Sequence, residues 1–218
     1  MEQPAFIVAV YGILVAQLLL TLGVMYWLRQ RKTALNTVLH IVYLVLYAAL
    51  ALVLALVPMP LALKFTLFTA LSLVLGALLH QISGDLATAV VNFVLLGTIA
   101  LFVAMSLVGL ALAAMGVELS WLLKYIVYGS LATLVAMVGL LIWSSTLKTP
   151  EEKARFTAVF KVVVVISMIL TSMYIVWATD AIATTGLGDT LSDAADAAIG
   201  LYLSFIDLLI SLFVLQEP

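Results

Sequence analysis

Residues Ala194 to Leu215 read AADAAIGLYLSFIDLLISLFVL, an apolar run with one carboxylate, Asp207, well inside it. A helix needs about 20 such residues to cross the hydrocarbon core of a bilayer. An ionised Asp near the centre of that helix costs roughly 2.5–3.5 kcal/mol on insertion scales. Asp207 is therefore expected to face a bundle interior or a wet cavity. Its neighbours agree, because Asp193, Asp196, Gly200, Ser204, Asp207 and Ser211 follow one another at steps of three and four. On a helix that spacing makes one stripe, polar or small throughout. Leu201, Phe205, Leu208, Leu209 and Leu212 form the other face, suited to lipid or to packing of large residues. The segment is expected to be the central helix of a membrane bundle. Its carboxylate is either a working group or a structural one, bonded to a neighbouring helix. An apolar bundle disfavours the charged form, and Ser204, Ser211 or Tyr43 could donate a hydrogen bond to the anion.

Composition extends this reading to the whole chain. Apolar residues make up 66% of it and charged residues 9%, with a mean hydropathy of +1.31. Soluble domains usually hold about 45–50% apolar and about 25% charged residues. The fold expected is an all-α membrane protein, a seven-transmembrane-helix bundle around a central C-terminal helix, with residues 1–218 forming a single polytopic domain. No basic cluster is large enough to suggest nucleic acid, so the expected surroundings are the lipid bilayer. With no Cys, thiolate metal sites and Cys nucleophiles are excluded. The first apolar run, Phe6–Leu28, lacks a basic n-region and is too long for a typical signal peptide. It is expected to be a membrane helix.

The remaining spans follow in order. Arg29, Arg31 and Lys32 close the first, and the second is Leu39–Val57, ended by Pro58 and Pro60. The third is Leu61–Leu79, followed by a turn-like stretch from His80 to Asp85. The fourth is Ala87–Ala113 and the fifth Trp121–Trp143, after which a polar loop is expected from Ser144 to Arg155. The sixth runs from Phe160 to about Ile182. Glycines then stop it, and Ser192 is a good N-cap for the seventh. Basic residues cluster after the first and fifth spans, including Lys148, Lys153 and Arg155, which places the N-terminus outside and the C-terminus in the cytoplasm. Matching halves, the mark of many transporters, are not evident.

Little in the chain suggests catalysis. The two histidines, His40 and His80, lie on different helices, and HExxH, GxSxG and phosphate-binding glycine motifs are missing. No enzyme and no resident cofactor are expected, and any metal site is left open. The informative residues are the polar ones inside spans. His40, Tyr43 and Tyr47 share a face of the second helix, and His40 could titrate near neutral pH. Gln17 and Asn92 are expected as interhelical hydrogen-bond partners. Tyr125, Tyr128, Gly129 and Thr133 read as packing and interface anchors. Ser167, Thr171, Tyr174 and Ala178 form a stripe that could face the seventh helix. Asp180, two positions past Ala178, points about 200° away from that stripe. It is expected to snorkel to the interface or to serve the mouth of a cavity.

Two stretches together resemble a known family. AFIVAVYGILVAQLLLT (Ala5–Thr21) is similar to the opening helix of the Bax inhibitor-1 (Lifeguard) family, and LYLSFIDLL (Leu201–Leu209) resembles its closing LYLDxINLF signature. The resemblance implies a helical bundle wrapped around the last helix, a pH-sensitive calcium leak and a cytoprotective role. Calcium would then be the transported ion. It also implies a gate made of two carboxylates, one on each of the last two helices. Ala178 and Ser204 stand where those carboxylates would be, and Asp180 and Asp207 are offset by two and three residues. The three-residue offset keeps Asp207 on its stripe, whereas the two-residue offset turns Asp180 nearly to the opposite face. In an antiparallel hairpin the offsets also part the carboxylates by about 7 Å along the axis, so no direct bond between them is expected. Asp207 and Asp180 are thus the candidate gate and pH-sensing residues. Ser204, Ser211, Gly200, His40 and Tyr43 are the candidate pore-lining or supporting residues. The alternative is a non-conducting regulator that binds another membrane protein, such as a protease or a channel. The expected location is a prokaryotic plasma membrane, or the endoplasmic reticulum or Golgi membrane in a eukaryote.

Overall fold

A computed structural model describes residues 2–31, 37–84, 86–147, 149–184 and 190–216. Among these residues the chain forms seven α-helices and no strand. They are α1 (Gln3–Gln30), α2 (Thr37–Leu56), α3 (Leu61–Ser83), α4 (Thr88–Ala114), α5 (Ser120–Ser144), α6 (Pro150–Thr184) and α7 (Leu191–Gln216). All seven are long and apolar enough to cross a membrane. A helix meets its own backbone hydrogen bonds, which is what a segment surrounded by hydrocarbon requires. The seven-span, all-α expectation holds.

Several helix ends differ from expectation, each for a local reason. The polar stretch after Trp143 is helical from Pro150 onward. Thr149 and Glu152 form a reciprocal capping box: the Glu152 N–H donates to Thr149 Oγ1 at 3.2 Å, and the Thr149 N–H to the Glu152 carboxylate at 2.9 Å. Pro150 takes the first helical position, where its missing N–H is not needed. Glu151 and Glu152 lie in the first turn, where the helix dipole favours negative charge. At 1.5 Å per residue α6 is about 52 Å long, against about 30 Å of hydrocarbon, so its exposed charged start has room to stand clear of the lipid tails.

At α7 the cap is Thr190 rather than Ser192. The Thr190 N–H and hydroxyl both donate to Asp193 Oδ2, at 3.1 and 2.6 Å, and the Asp193 N–H returns to Thr190 Oγ1 at 3.3 Å. At α3 the expected turn is helix through Ser83. The Arg29 guanidinium donates to the Ser83 carbonyl at 2.7 Å and to the Leu86 carbonyl. A cation on carbonyls at a helix C-terminus satisfies groups the helix leaves open. α4 ends in a Schellman turn at Gly116 (φ +69°), with Val117 N–H bonded to the Leu112 carbonyl and Gly116 N–H to that of Ala113. Lys32, Asp85, Lys148 and the glycines expected to stop α6 lie outside the described residues.

The helices sort into two compact units. The first holds Met1–Val91 with Thr185–Leu203, and the second Asn92–Thr184 with Ser204–Pro218, so that α7 contributes to both. In the first unit α3 packs against α1 and α2. α1 and α3 run parallel: Gln17 meets Thr69 and Ser72, Thr21 meets Ser72, and Arg29 meets Ser83. Gly76 makes this approach possible, since a Cβ there would lie 2.6 Å from the Thr21 carbonyl oxygen. In the second unit α5 packs on α6, with Trp143 edge-on to Phe156 at 5.7 Å. α4 lies against α6 at Gly109, where a Cβ would meet the Val176 carbonyl oxygen at 2.6 Å. Phe102 and Phe205 make an edge contact at 5.6 Å between α4 and α7. Small residues at such crossings let membrane helices approach backbone to backbone.

α7 is the most enclosed helix: 61% of its most apolar window is buried, compared with 6–44% in the others. On the face made of large residues Leu201, Phe205, Leu208 and Leu209 are buried and Leu212 is half-buried; on the polar stripe Ser204 and Ser211 are buried, Asp193, Gly200 and Asp207 half-buried, and Asp196 exposed. Of the two roles open to the large face, lipid contact or packing, the structure has packing. Leucine and phenylalanine fill interhelical space with many dispersion contacts.

These contacts set two expectations. Gly76→Ala and Gly109→Ala each push a methyl into a backbone oxygen, and should lower stability by about 1–3 kcal/mol. Gly12→Ala meets open space and should not; thermal unfolding in detergent separates the three. Thr149→Ala removes the cap of α6 and should cost about 1 kcal/mol locally, read as faster amide hydrogen exchange over residues 151–154.

Candidate functional site

Asp207 lies where its own helix meets two others in the second unit. Its Oδ2 accepts a hydrogen bond from Thr171 Oγ1 of α6 at 2.5 Å. The same carboxylate lines a cavity of about 350 Å³, walled by Ser130, Thr133, Leu134 and Met137 of α5 and by Ser167, Leu170 and Thr171 of α6. Helical spacing brings these hydroxyls together. Ser130 and Thr133 are three apart on α5, and Ser167 and Thr171 four apart on α6, so each pair shares a face. Gly129 lets the methyls of Leu170 seat against its Cα, which holds α5 close to α6 beside the cavity. A second volume of about 420 Å³, lined by Leu101, Met105, Met168, Met173 and other mostly apolar side chains with Ser172 among them, carries no charged group.

The stripe expected to face the seventh helix does so at Thr171. The donor to Asp207 is this α6 hydroxyl, not the expected Ser204, Ser211 or Tyr43. Ser204 and Ser211 are buried on α7. Gly200 is half-buried, as are His40 and Tyr43 on α2, and all three belong to the first unit. Thr133, expected as a packing anchor, lines the cavity, and its hydroxyl donates to the Gly129 carbonyl at 2.9 Å. Asn92 is exposed on α4.

Asp180 does not snorkel. It is 6% exposed, and its Oδ1 has no hydrogen-bond partner among the described residues. It shares a face of α6 with Val176 and Thr179, the residues beneath Gly109. Thr171, the α6 residue that reaches Asp207, is nine positions earlier, about 14 Å along the axis and on the opposite face. The two carboxylates accordingly make no hydrogen bond to each other among the described residues, and their separation exceeds the offset expected from sequence.

The first unit holds polar groups that the sequence reading valued less. Lys64, near the start of α3, is buried. Its Nζ donates to Asp196 Oδ2 at 2.7 Å and to Ser192 Oγ at 2.8 Å, tying the start of α3 to that of α7. Deeper in, Ser72 Oγ donates to Gln17 Oε1 at 2.7 Å, and Thr21 Oγ1 lies 2.5 Å from the Tyr202 hydroxyl. Tyr202 stands edge-on to Phe68, with ring centroids 5.1 Å apart. Gln17 is thus the interhelical partner it was expected to be. The signal for Lys64 was its pairing register with an acidic stripe on another helix, which no local pattern reveals.

The stretches that carried the resemblance therefore meet in space: Gln17 and Thr21 come from the opening one and Tyr202 from the closing one. No curated protein is similar enough to this chain to add to that comparison. The model of a family described as "Inhibitor of apoptosis-promoting Bax1" matches residues 3–216, from the first residue of α1 to the last of α7. With the match spanning every helix, this integral multi-pass membrane protein belongs to the Bax inhibitor-1 family.

Proposed function

We propose that the protein is a pH-sensitive cation leak of the Bax inhibitor-1 type, with Asp207 at its gate and calcium as the ion that family membership implies. Membership itself makes it a membrane protein of a cytoprotective family. The observation that carries the finer reading is the position of Asp207, half-buried and lining a hydroxyl-walled cavity. Oxygen-lined constrictions with a charged side chain are how channels replace a cation's water and select its charge.

The sign of the pH response follows from charge. Ionised Asp207 attracts a cation into the cavity, and protonation removes that attraction. Flux should rise as pH rises through the titration of Asp207. The groups around it leave the response to one carboxylate. The α5 and α6 residues of the cavity are neutral, and α4 carries no titratable side chain. On α6, Tyr174 follows Thr171 by one turn, while Lys161 lies well before Thr171 and Asp180 well after it.

Calcium flux into proteoliposomes over a pH series tests the reading. The wild type should leak more at higher pH, and Asp207→Asn, which keeps the shape and removes the titration, should give a flux that no longer varies with pH. Equal flux from both proteins at every pH would overturn Asp207 as the gate, and wild-type flux no greater than that of empty vesicles would overturn the leak and favour a non-conducting regulator.

A further inference from the structure

We infer that Thr171 is the positioning residue of the proposed gate, its hydroxyl holding the Asp207 carboxylate and setting the pH at which that carboxylate takes up a proton. The inference rests on reading Asp207 as the gate. A threonine inside a span has a ready acceptor in the carbonyl four residues back. Thr98 and Thr133 use that acceptor, at 2.8 and 2.9 Å. Thr171 instead turns its single hydroxyl proton to Asp207 Oδ2, from α6 to α7. A contact beside it fixes that choice of face. Leu170 is seated in the gap left by Gly129, where a Cβ would lie 2.6 Å from one of its methyls. This anchors one position of α6 on α5, and the next position, about 100° further round the helix, is the one that meets α7.

A hydroxyl that gives its proton to a carboxylate bonds the anion more strongly than the acid. When Asp207 is protonated, the Thr171 proton has the Ser167 carbonyl to return to, since a carbonyl oxygen has two lone pairs. Thr171 therefore favours the charged, cation-attracting state of Asp207 without carrying charge itself. The cavity residues of α5 and α6 are neutral. On α5, Lys124, Tyr125 and Tyr128 precede the cavity residues and are exposed. On α6, Tyr174 comes one turn after Thr171 with its ring 5.7 Å from that of Trp177, Lys161 comes well before it and Asp180 well after. α4 has no titratable side chain, and on α7 the nearest before Asp207 is Tyr202.

Infrared spectroscopy of the purified full-length protein over a pH series tests this. The carboxylic-acid C=O stretch lost in Asp207→Asn reports Asp207 directly. Thr171→Val keeps the branching of the side chain and removes the donor, so the midpoint of that band should move up by about one pH unit. Thr171→Ser restores the donor and should bring the midpoint back close to wild type, which a purely packing role for Thr171 would not do. Should Thr171→Val fold poorly, Thr171→Ala removes the same donor without added bulk and should move the midpoint the same way. The inference is overturned by a midpoint that loss of the donor leaves in place, by a Thr171→Ser midpoint shifted as far as that of the donor-free variant, or by an Asp207 band that does not titrate. Calcium flux into proteoliposomes is read separately, and its pH midpoint should follow the band. A band shift with no matching change in flux sinks the gate and spares the coupling of Thr171 to Asp207. A leak lost in Asp207→Asn, with a band that loss of the donor does not move, sinks Thr171 and spares the gate.

Discussion

Hydrocarbon offers no partner to a polar group, and that single constraint accounts for most of what this chain does. It makes every span a helix, because only a helix closes its own backbone bonds. It also acts on the side chains. Thr66, Thr98 and Thr157 each return their hydroxyls to a carbonyl four residues back. Gln17, Ser72, Thr21 and Tyr202 complete one another across α1, α3 and α7. Lys64, the most costly of the buried groups, has a carboxylate and a hydroxyl within 3 Å. Against that background Asp180 stands out as a buried carboxylate with an oxygen that no described residue meets.

How much of this could be read in advance depends on the range of the interaction. Span number and type were legible because about 20 consecutive apolar residues carry the signal on their own. The caps were legible too, in the wrong place: Thr149-Pro-Glu-Glu and Thr190-Leu-Ser-Asp both spell a capping box, yet polarity alone made the first look like loop and put the second cap at Ser192. The stripe from Ser167 to Ala178 reaches α7 at Thr171, as 3.6-residue periodicity led one to expect of that face. What periodicity does not fix is the level at which two helices meet. The Asp207 partner lay one helix away on α6, Ser130 carried no signal of its own, and Lys64 gave no hint of a mate on α7.

Family and departure are visible in different parts of the molecule. The opening and closing stretches that mark the family make a hydrogen-bonded core in the first unit, where Tyr202 joins Thr21 and leans on Phe68. The carboxylate that departs from the family pattern is in the second unit, in a setting built by α5 and α6. There Asp207 has the Thr171 hydroxyl of α6 for company rather than a second carboxylate. One acid with four hydroxyls is a different electrostatic object from two acids sharing a proton.

The bond between Thr21 and Tyr202 spans 181 residues of chain, and that between Lys64 and Asp196 spans 132. Ribosomes add about 5–20 residues per second, so α1 waits some ten to thirty-five seconds in the membrane before the helix that completes its polar face has been made. Through that interval Thr21 has only backbone carbonyls to bond, and Lys64 is a lone cation near the start of α3. A nascent or truncated chain therefore presents unfinished polar surface to the lipid, and arrival of the last helix closes it in one step. The polar contacts that α7 brings to the first unit are for this reason its last to form, and the ones of highest contact order.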